Sequence, residues 1–460
     1  MNLKRYFKQN FINLKTFNWK LFIALCALAL LPALYTTIRT FLIASQTSTK
    51  GVDIIGQMEW FDLIDETIKA FLIIPLYAVL TKLIREKRFA YVTFKIGLII
   101  VFLYTLFFVG VYFYAHSLIK FMNPEETDLK AVQSYLQLET IAFIIGIIPA
   151  LINVIFVVVN KSYNIYLFLI IQTILIVIGD FVFIPHYQVN GVAYSNITTN
   201  AFIAVLSIVL LTIQGYLKIS WFKKGDWRTL KNWIRIGIFS GLQVFIDNII
   251  YALMVVAMVN TVNQQGNYWV ANNFIWTWLL IPITALAEVI KRDAAEDYFQ
   301  TKETNYYLIL VFVMFIWICT IPGWSGFFQV IQKLANYQEI TRIVLKLFGF
   351  YLFYALAIIP DALFIGTGKT KYNTINSLII NLGYYGIWFL CYLTTIHLKM
   401  TMDLIIVMFG CGMVVHFLVS QIEQQFFFKK EMFRNYLVPG YLPKKSAFKF
   451  ALNKIRMLKK

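Results

Sequence analysis

Long runs of apolar residues, separated by short polar segments, follow one another along the whole chain. A helix needs about 20 such residues to cross the hydrocarbon core of a bilayer. The runs do not alternate apolar and polar residues with a period of two, as the strands of a membrane barrel do. The pattern therefore predicts an all-α polytopic membrane protein with twelve transmembrane helices. The predicted spans are residues 21–45, 63–83, 94–118, 135–159, 165–184, 192–216, 234–259, 270–290, 306–321, 343–365, 374–396 and 402–427.

The second half of the sequence repeats the first. FLIIP at 71–75 and WLLIP at 278–282 are 207 residues apart, and NKSYN at 160–164 and KTKYN at 369–373 are 209 apart. Two six-span halves in the same orientation imply a pseudo-twofold axis along the membrane normal, with a cavity between the bundles. We predict three regions: an N-terminal six-helix bundle with a cytoplasmic arm at 1–220, a C-terminal six-helix bundle at 221–428, and a basic cytoplasmic tail at 429–460.

Composition and charge agree with a membrane protein. Sixty per cent of the residues are hydrophobic and 14% are charged, far from the globular average. Basic residues concentrate in the N-terminal arm, in alternate loops and in the tail, so both termini are expected to be cytoplasmic. We attribute the formal charge of +18 to this topology and to contact with anionic lipids, and expect no nucleic-acid partner. Frequent Ile, Lys and Asn are typical of an AT-rich bacterial genome. We therefore expect a multi-pass protein of the inner membrane of a bacterium.

No motif for covalent chemistry stands out. The four cysteines and four histidines are scattered without the spacing of a zinc site. GTGKT at 366–370 lacks the spacing of a phosphate-binding loop. We therefore expect that the protein is not an enzyme and binds no cofactor. We expect a monomer that takes its energy from an ion gradient.

An acid deep in an apolar span is the first candidate for ion coupling. Asp247 lies about a dozen residues into the helix that begins RIGIFSGLQVFID, and a carboxylate at that depth is costly unless it is used. Gln243 precedes it by one turn and Asn248 follows it, so oxygen and amide groups could bind Na⁺ beside Asp247, or the acid could hold a proton. Asp180, in the fifth span, is a second candidate. The alternatives are a structural acid for Asp247 and a partly solvated interfacial acid for Asp180.

Charged residues on one face of the second span are candidates for a substrate cavity. They occupy positions i, i+3, i+4 and i+7 of a helix: Asp62, Asp65, Glu66 and Lys69. At the 207-residue offset, Asp65 and Glu66 correspond to Asn272 and Asn273 of span eight. Both halves would then present polar groups at one level of a cavity. The alternative is a structural ion pair between Lys69 and the acid one turn before it.

Two further residues complete the predicted cavity. Arg39 lies among threonines in span one, where it either pairs with an acid such as Asp65 or Asp247 or meets an anionic group of a substrate. Trp276 lies on the face of span eight that carries Asn272, where it could stack on a flat ligand. The alternative for Trp276 is membership of the interfacial belt of aromatic residues.

Four motifs resemble the multidrug and toxic compound extrusion (MATE) family, within the wider MOP superfamily of transporters and polysaccharide flippases. They are LLPALYTTI with Pro32, IGDFVFIP followed by NGVAYSN, IGIFSGLQVFID, and FIGTGKTK. The resemblance implies a cation-coupled antiporter, driven by H⁺ or Na⁺, that exports organic, drug-like compounds by alternating access between two bundles. Small organic or amphipathic substrates and membrane lipids would be its partners.

The sequence also departs from the family. Members often carry an acid in helix one, but residues 39–47 offer none, so Asp180, which matches the fifth-helix Asp, would lack its usual partner. Together with the basic Arg39 and Lys69, this keeps a second function open: a flippase of the same superfamily for lipids or lipid-linked oligosaccharides.

Overall fold

The computed structural model describes residue 14 and residues 17–84, 86, 88–123, 128–159, 161–219, 226–394 and 400–437. Within these residues the chain is helical almost throughout and forms no β-strand. The predicted all-α class is confirmed.

Helices α1 to α6 form the first half of the chain. α1 begins after Asn18, whose side chain accepts a hydrogen bond from the amide of Leu21, and α4 is capped in the same way by Asp128. The elements are α1 (Trp19–Gln57), α2a (Glu59–Leu72), α2b (Ile74–Leu83), α3 (Phe89–Met122), α4 (Leu129–Val158), α5 (Ser162–Tyr187) and α6 (Val189–Ile213).

Helices α7 to α12 form the second half, and five of these six are interrupted or extended by π-helical turns. The elements are α7a (Asp226–Tyr251) and α7b (Ala257–Thr261), α8a (Gln265–Phe274) and α8b (Ile281–Asp297), α9 (Glu303–Gly326), α10 (Tyr337–Gly366), α11a (Lys371–Leu378) and α11b (Gly386–Thr394), and α12a (Met402–Ile422) and α12b (Lys429–Leu437). The π turns are Ala252–Val256, Ile275–Leu279, Phe327–Ile331, Ile379–Tyr385 and Glu423–Phe428, and Tyr298–Gln300 is a 3₁₀ turn.

The repeated FLIIP and WLLIP sequences mark helix breaks. α2 is broken at Ile73 and α8 at Leu280, two positions that are 207 residues apart. Pro75 and Pro282 lie in the first turn after each break, where the missing amide hydrogen of proline costs nothing. The two parts of α8 meet at a bend of 50°. The repeat therefore has a structural counterpart at this point.

Helix lies at each of the twelve predicted spans. Among the described residues, nine helices are long and apolar enough to cross a membrane, or ten when the bent α8 is taken as one span. The two that fall short are α2 and α7. α2a alone carries five charged residues, and it packs against α7a. Contact with a neighbouring helix lowers the cost of charged residues in a membrane span.

The helix contacts show the same pairs in each half. α3 packs on α4, α4 on α6 and α5 on α6, as α9 does on α10, α10 on α12 and α11 on α12. Between the halves, α1 packs on α8 and α2 packs on α7. These two contacts are equivalent, because the repeat relates α1 to α7 and α2 to α8. The predicted boundary at 220/221 lies outside the described residues. The division into bundles and tail stays a prediction.

The two halves touch closely at the end that the charge pattern predicts to be extracellular. Gly56 of α1 lies against the start of α8a, where a Cβ atom would stand 2.5 Å from the carbonyl oxygen of Gln265. Nearby, the amide of Gly266 donates to a carboxylate oxygen of Asp53 over 3.2 Å. Backbone therefore meets backbone, and the cavity between the halves is closed at this end.

Candidate substrate cavity and ion site

A cavity of about 910 Å³ lies between the two halves. Its wall comes from α1, α2a, α4, α5, α6, α7a, α8a and α12a. Seven of the eight predicted cavity residues line it: Arg39, Asp62, Glu66, Lys69, Asn272, Asn273 and Trp276. Aromatic side chains from both halves cover much of the remaining wall: Tyr35, Tyr135, Phe143, Tyr251, Trp269 and Phe409.

Arg39 is held by an acid of its own half. Its guanidinium donates to both carboxylate oxygens of Asp180, over 2.8 and 3.0 Å, and to the amide oxygen of Asn196 over 2.9 Å. The side chain of Asp180 is 0% exposed. The amide nitrogen of Asn196 donates in turn to Glu139 over 2.6 Å. Arg39 therefore pairs with neither Asp65 nor Asp247, and the acid predicted for ion coupling, Asp180, is occupied by the guanidinium.

Lys69 is also neutralised internally. Its ammonium lies 2.5 Å from a carboxylate oxygen of Asp65, one turn earlier on α2a, and 5.8 Å from the ring centre of Phe143. Tyr104 donates a hydrogen bond to the other oxygen of Asp65. Asp65 is thus directed toward α3, and it is the one predicted cavity residue that does not line the cavity.

Four other carboxylates line the cavity, and none of them forms an ion pair with a described residue: Glu59, Asp62, Glu66 and Glu139. Glu59 accepts hydrogen bonds from the hydroxyl of Tyr251 and the amide of Asn272, over 3.1 and 3.0 Å. Glu66 accepts one from the amide of Asn248 over 3.2 Å. These donors are neutral. Since both basic residues of the wall are already paired, these four carboxyl groups have no basic side chain of the described residues to pair with.

Asn272 of α8a, one of the polar residues predicted to face the cavity, links the two halves by hydrogen bonds. Asn272 donates to Glu59 of α2a, and its amide oxygen accepts a hydrogen bond from the hydroxyl of Tyr351 over 3.1 Å. The indole of Trp276 donates to the same hydroxyl over 3.0 Å. α2a, α8a and α10 are therefore joined at one level of the cavity wall.

A second cavity, of about 420 Å³, lies within the C-terminal half, and Asp247 lines it. Ser377 donates a hydrogen bond to Asp247, and the amide of Asn381 donates to the same carboxylate oxygen over 2.5 Å. Trp276 and Phe409 line both cavities. The acid chosen from the sequence thus lies in a smaller chamber that shares these two aromatic side chains with the wall of the larger cavity.

An Asp–His pair that the sequence did not single out lines the same chamber. One carboxylate oxygen of Asp361 is 2.7 Å from Nε2 of His416, and the other accepts a hydrogen bond from Ser420 over 2.8 Å. Asn376 donates to the hydroxyl of Ser420 over 2.6 Å. Three helices, α10, α11a and α12a, therefore meet around Asp361.

The remaining predicted ion-site residues divide between the two cavities. The side chain of Gln243 lies outside the described residues. Asn248 turns away from Asp247, because its amide donates to the carbonyl of Leu63 and the hydroxyl of Thr67 as well as to Glu66. Asn248 is thus part of the wall of the larger cavity. In the described part of the chain, no three His, Cys, Asp or Glu side chains are arranged to hold a metal ion.

Glu139 is the main residue of the cavity that sequence reasoning missed. It is a lone acid in the 30-residue helix α4, which is otherwise strongly apolar in its central part. The same signal selected Asp247. A search for every isolated acid within an apolar run would therefore have found Glu139 as well.

Two bundle-like halves around a central cavity are the architecture of MOP superfamily transporters, and the chain has that fold. Within the superfamily it is similar to solved MATE structures, so the predicted resemblance is confirmed at the level of the fold. An inward-facing multidrug resistance MATE transporter gives a TM-score of 0.71 at 13% identity, covering 88% of this chain and 96% of the other. An outward-facing multidrug resistance MATE transporter gives a TM-score of 0.62 at 14% identity, covering 90% of this chain and 96% of the other.

A third similar structure is a MOP superfamily transporter from Pyrococcus furiosus, for which a reverse polarity of the binding pocket was taken to suggest a different function. It gives a TM-score of 0.62 at 15% identity, covering 90% of this chain and 95% of the other. No protein-family model and no curated protein sequence matches the chain.

Proposed function

We propose that the protein is a secondary active transporter that exports cationic organic compounds across the cytoplasmic membrane in exchange for H⁺ or Na⁺. The cavity between the halves binds the substrate, and the chamber around Asp247 binds the coupling cation. The two halves rock about this cavity, so that it opens to one side of the membrane at a time.

The observation that carries this proposal is the charge of the larger cavity. Its two basic residues, Arg39 and Lys69, are each paired with an acid of their own half, and four carboxylates remain without a cation. Aromatic side chains cover the same wall, and their faces attract cations. A negative, aromatic cavity favours amphipathic cations.

The same pairing argues against a flippase for anionic lipids. Such a flippase needs a free guanidinium or ammonium in its cavity to meet a phosphate. Both carboxylate oxygens of Asp180 are bound to Arg39, and Asp65 is 2.5 Å from Lys69. Releasing either base would leave a buried acid without its partner, which is costly.

The similarity to the inward-facing structure, together with the closed outer end at Gly56, supports a state that takes substrate from the cytoplasm. Asp247 supports the coupling step, since it is the acid of the second chamber with no basic partner of its own. Neutralisation of Asp247 by the entering cation changes the charge between α7a and α11, and so favours one facing state over the other.

The experiment is efflux of ethidium, a fluorescent aromatic cation, from proteoliposomes under an imposed pH or Na⁺ gradient. We expect wild-type protein to expel the dye with one of the two gradients. Asp247→Asn should abolish gradient-driven efflux and leave binding of the dye largely intact.

Glu339→Gln is the matched control, because Glu339 is an acid at the outer end of α10 whose side chain is 40% exposed and whose pair with Arg342 is 3.8 Å long. This variant should transport like wild type. Wild-type protein that moves an anionic lipid but no cationic dye would contradict the proposal.

A further inference from the structure

Three of the four unpaired carboxylates stand in line along one helix. Glu59, Asp62 and Glu66 occupy positions i, i+3 and i+7 of α2a, so their side chains share a face. With a rise of about 1.5 Å per residue, the first and the last lie about 10 Å apart along the helix axis. All three line the larger cavity, and Asp62 makes no hydrogen bond or ion pair with any described residue. The carboxyl groups of this wall are therefore spread along a line.

Two buried polar atoms elsewhere in the cavity wall lack a partner among the described residues. Glu139 is 8% exposed, and its second carboxylate oxygen has no hydrogen-bond partner among the described residues. Thr199 is 2% exposed, and its hydroxyl likewise has none. Both residues line the same cavity. A buried carboxylate oxygen without a donor is costly, so Glu139 fits a ligand that brings donors, as an ammonium group does.

A metal ion does not fit this arrangement. Metal ligands converge on one point at about 2.0 to 2.6 Å. The carboxylates of α2a are instead separated by whole turns of the helix, and no three such groups in the described residues could hold a metal ion. Charge spread over about 10 Å favours a ligand whose own charges are spread over a similar length.

We propose that the cavity selects linear organic polycations, in which at least two protonated amines lie about 5 to 10 Å apart along a flexible chain. The amines pair with successive carboxylates of α2a. Glu139 receives the donor it lacks, and the aromatic side chains of the wall pack on the methylene groups between the amines. This inference rests on the proposed function, because it names the substrate class of the same cavity.

The test is competition for bound ethidium by two series of amines. α,ω-Diamines from 1,3-diaminopropane to 1,8-diaminooctane are compared with monoamines of equal chain length, and radiolabelled spermidine is used for efflux. A diamine whose amines match the carboxylate spacing should displace the dye at a concentration about tenfold lower than the matching monoamine. Spermidine should be expelled from the proteoliposomes.

A double variant tests the carboxylates themselves. Asp62→Asn with Glu66→Gln should remove most of the preference for diamines and change displacement by monoamines about threefold or less. Asp62→Glu keeps the charge and should keep the preference. Glu339→Gln again serves as the control, and thermal unfolding of each variant shows that it is folded.

The outcomes separate the two proposals. Equal displacement by monoamines and diamines, in protein that still binds and expels ethidium, would overturn the polycation inference and leave the proposed function standing. Absence of ethidium binding and efflux in wild-type protein would instead overturn the proposed function. A diamine preference that survives the double variant would also refute the role of the α2a carboxylates.

Discussion

The two halves of the molecule have matching helix contacts but different chemistry. In the first half, buried acids and bases are paired with one another, as in Arg39 and Asp180, and the unpaired carboxylates face a cavity of about 910 Å³. In the second half, Asp247 and the Asp361–His416 pair surround a chamber of about 420 Å³. At the repeat offset, Glu66 corresponds to the neutral Asn273, and Asp247 to the neutral Thr40.

This difference shows that a repeated fold does not require repeated function. The repeat fixes which helices meet, since α1 packs on α8 as α2 packs on α7. It does not fix which half holds the charges. We infer a division of work, with the substrate bound by carboxylates of the first half and the coupling cation by the second. The following variants break or sharpen this contrast.

The largest effect is expected where an acid is removed from the first half. Asp180→Asn leaves the guanidinium of Arg39 without its carboxylate in a buried site, which should lower the free energy of unfolding by about 3 to 5 kcal/mol. Thermal unfolding in detergent measures this, and Arg39→Gln in the same protein should restore part of the loss. In contrast, Asp247→Asn should unfold close to the wild-type temperature. A stable Asp180→Asn that fails only in transport would erase the contrast between the two acids.

A smaller effect is expected at the closed outer end. In Gly56→Ala the new methyl group meets the carbonyl of Gln265, which should destabilise the closed state by about 1 to 3 kcal/mol. A cysteine at Trp269, in a variant without the four native cysteines, should then react faster with a thiol reagent added from outside. Gly110→Ala is the control, since a Cβ atom there meets nothing within 4 Å. Equal reaction rates in both variants would show that this contact does not close the cavity.

Removal of a neutral partner of Asp247 should change the free energy of binding of the coupling cation by about 1 kcal/mol. The sign of that change identifies the cation. Ser377→Ala deletes a donor to the carboxylate, so a coupling proton should bind more tightly, with half-maximal efflux at a proton concentration about three- to tenfold lower. If the cation is Na⁺, the hydroxyl oxygen is a lost ligand, and a higher Na⁺ concentration is needed. Thr284→Ala, which loses only a bond to the carbonyl of Ile281 in its own helix, should leave efflux unchanged. No shift in Ser377→Ala would place coupling elsewhere.

The smallest effect is expected when the second half is made more like the first. Asn273→Asp places a carboxylate at the position that corresponds to Glu66, and should raise the affinity for ethidium about two- to fivefold. The gain should shrink at high salt, because exposed charges are screened. Dye binding at two ionic strengths measures both effects. Asn273→Gln is the neutral control, and a weaker affinity in Asn273→Asp would contradict an electrostatic role for the wall.

Hydropathy and internal repetition were enough to predict the helical class, the position of each span and the repeat of FLIIP in WLLIP, although the helix breaks at Ile73 and Leu280 were seen only in the structure. These features follow from local sequence, because bilayer thickness sets the length of apolar runs and proline marks the start of a helix segment. Seven of the eight residues predicted for the cavity also line it, since the internal repeat placed polar residues of α2 and α8 at one level.

The partners of the charged groups could not be predicted in the same way. Arg39 and Asp180 are 141 residues apart, and Asp361 and His416 are 55 apart. Such contacts depend on how α1 lies against α5 and α10 against α12, which no local pattern contains. The sequence therefore indicated that Arg39 needs an acid and offered Asp65 and Asp247, while the packing of α1 on α5 supplied Asp180.

The polar character of α2a has a consequence for how the protein is made. Each charge at the centre of a membrane helix opposes insertion by about 2.5 to 3.5 kcal/mol, and α2a carries five charged residues. Its later partner, α7a, follows more than a hundred residues behind and leaves the ribosome long after it. We infer that α2 enters the bilayer together with its apolar neighbours α1 and α3, and that its charged face stays in contact with water or the insertion machinery until α7 arrives. Packing of the charged face of α2 is thereby coupled to synthesis of the start of the second half.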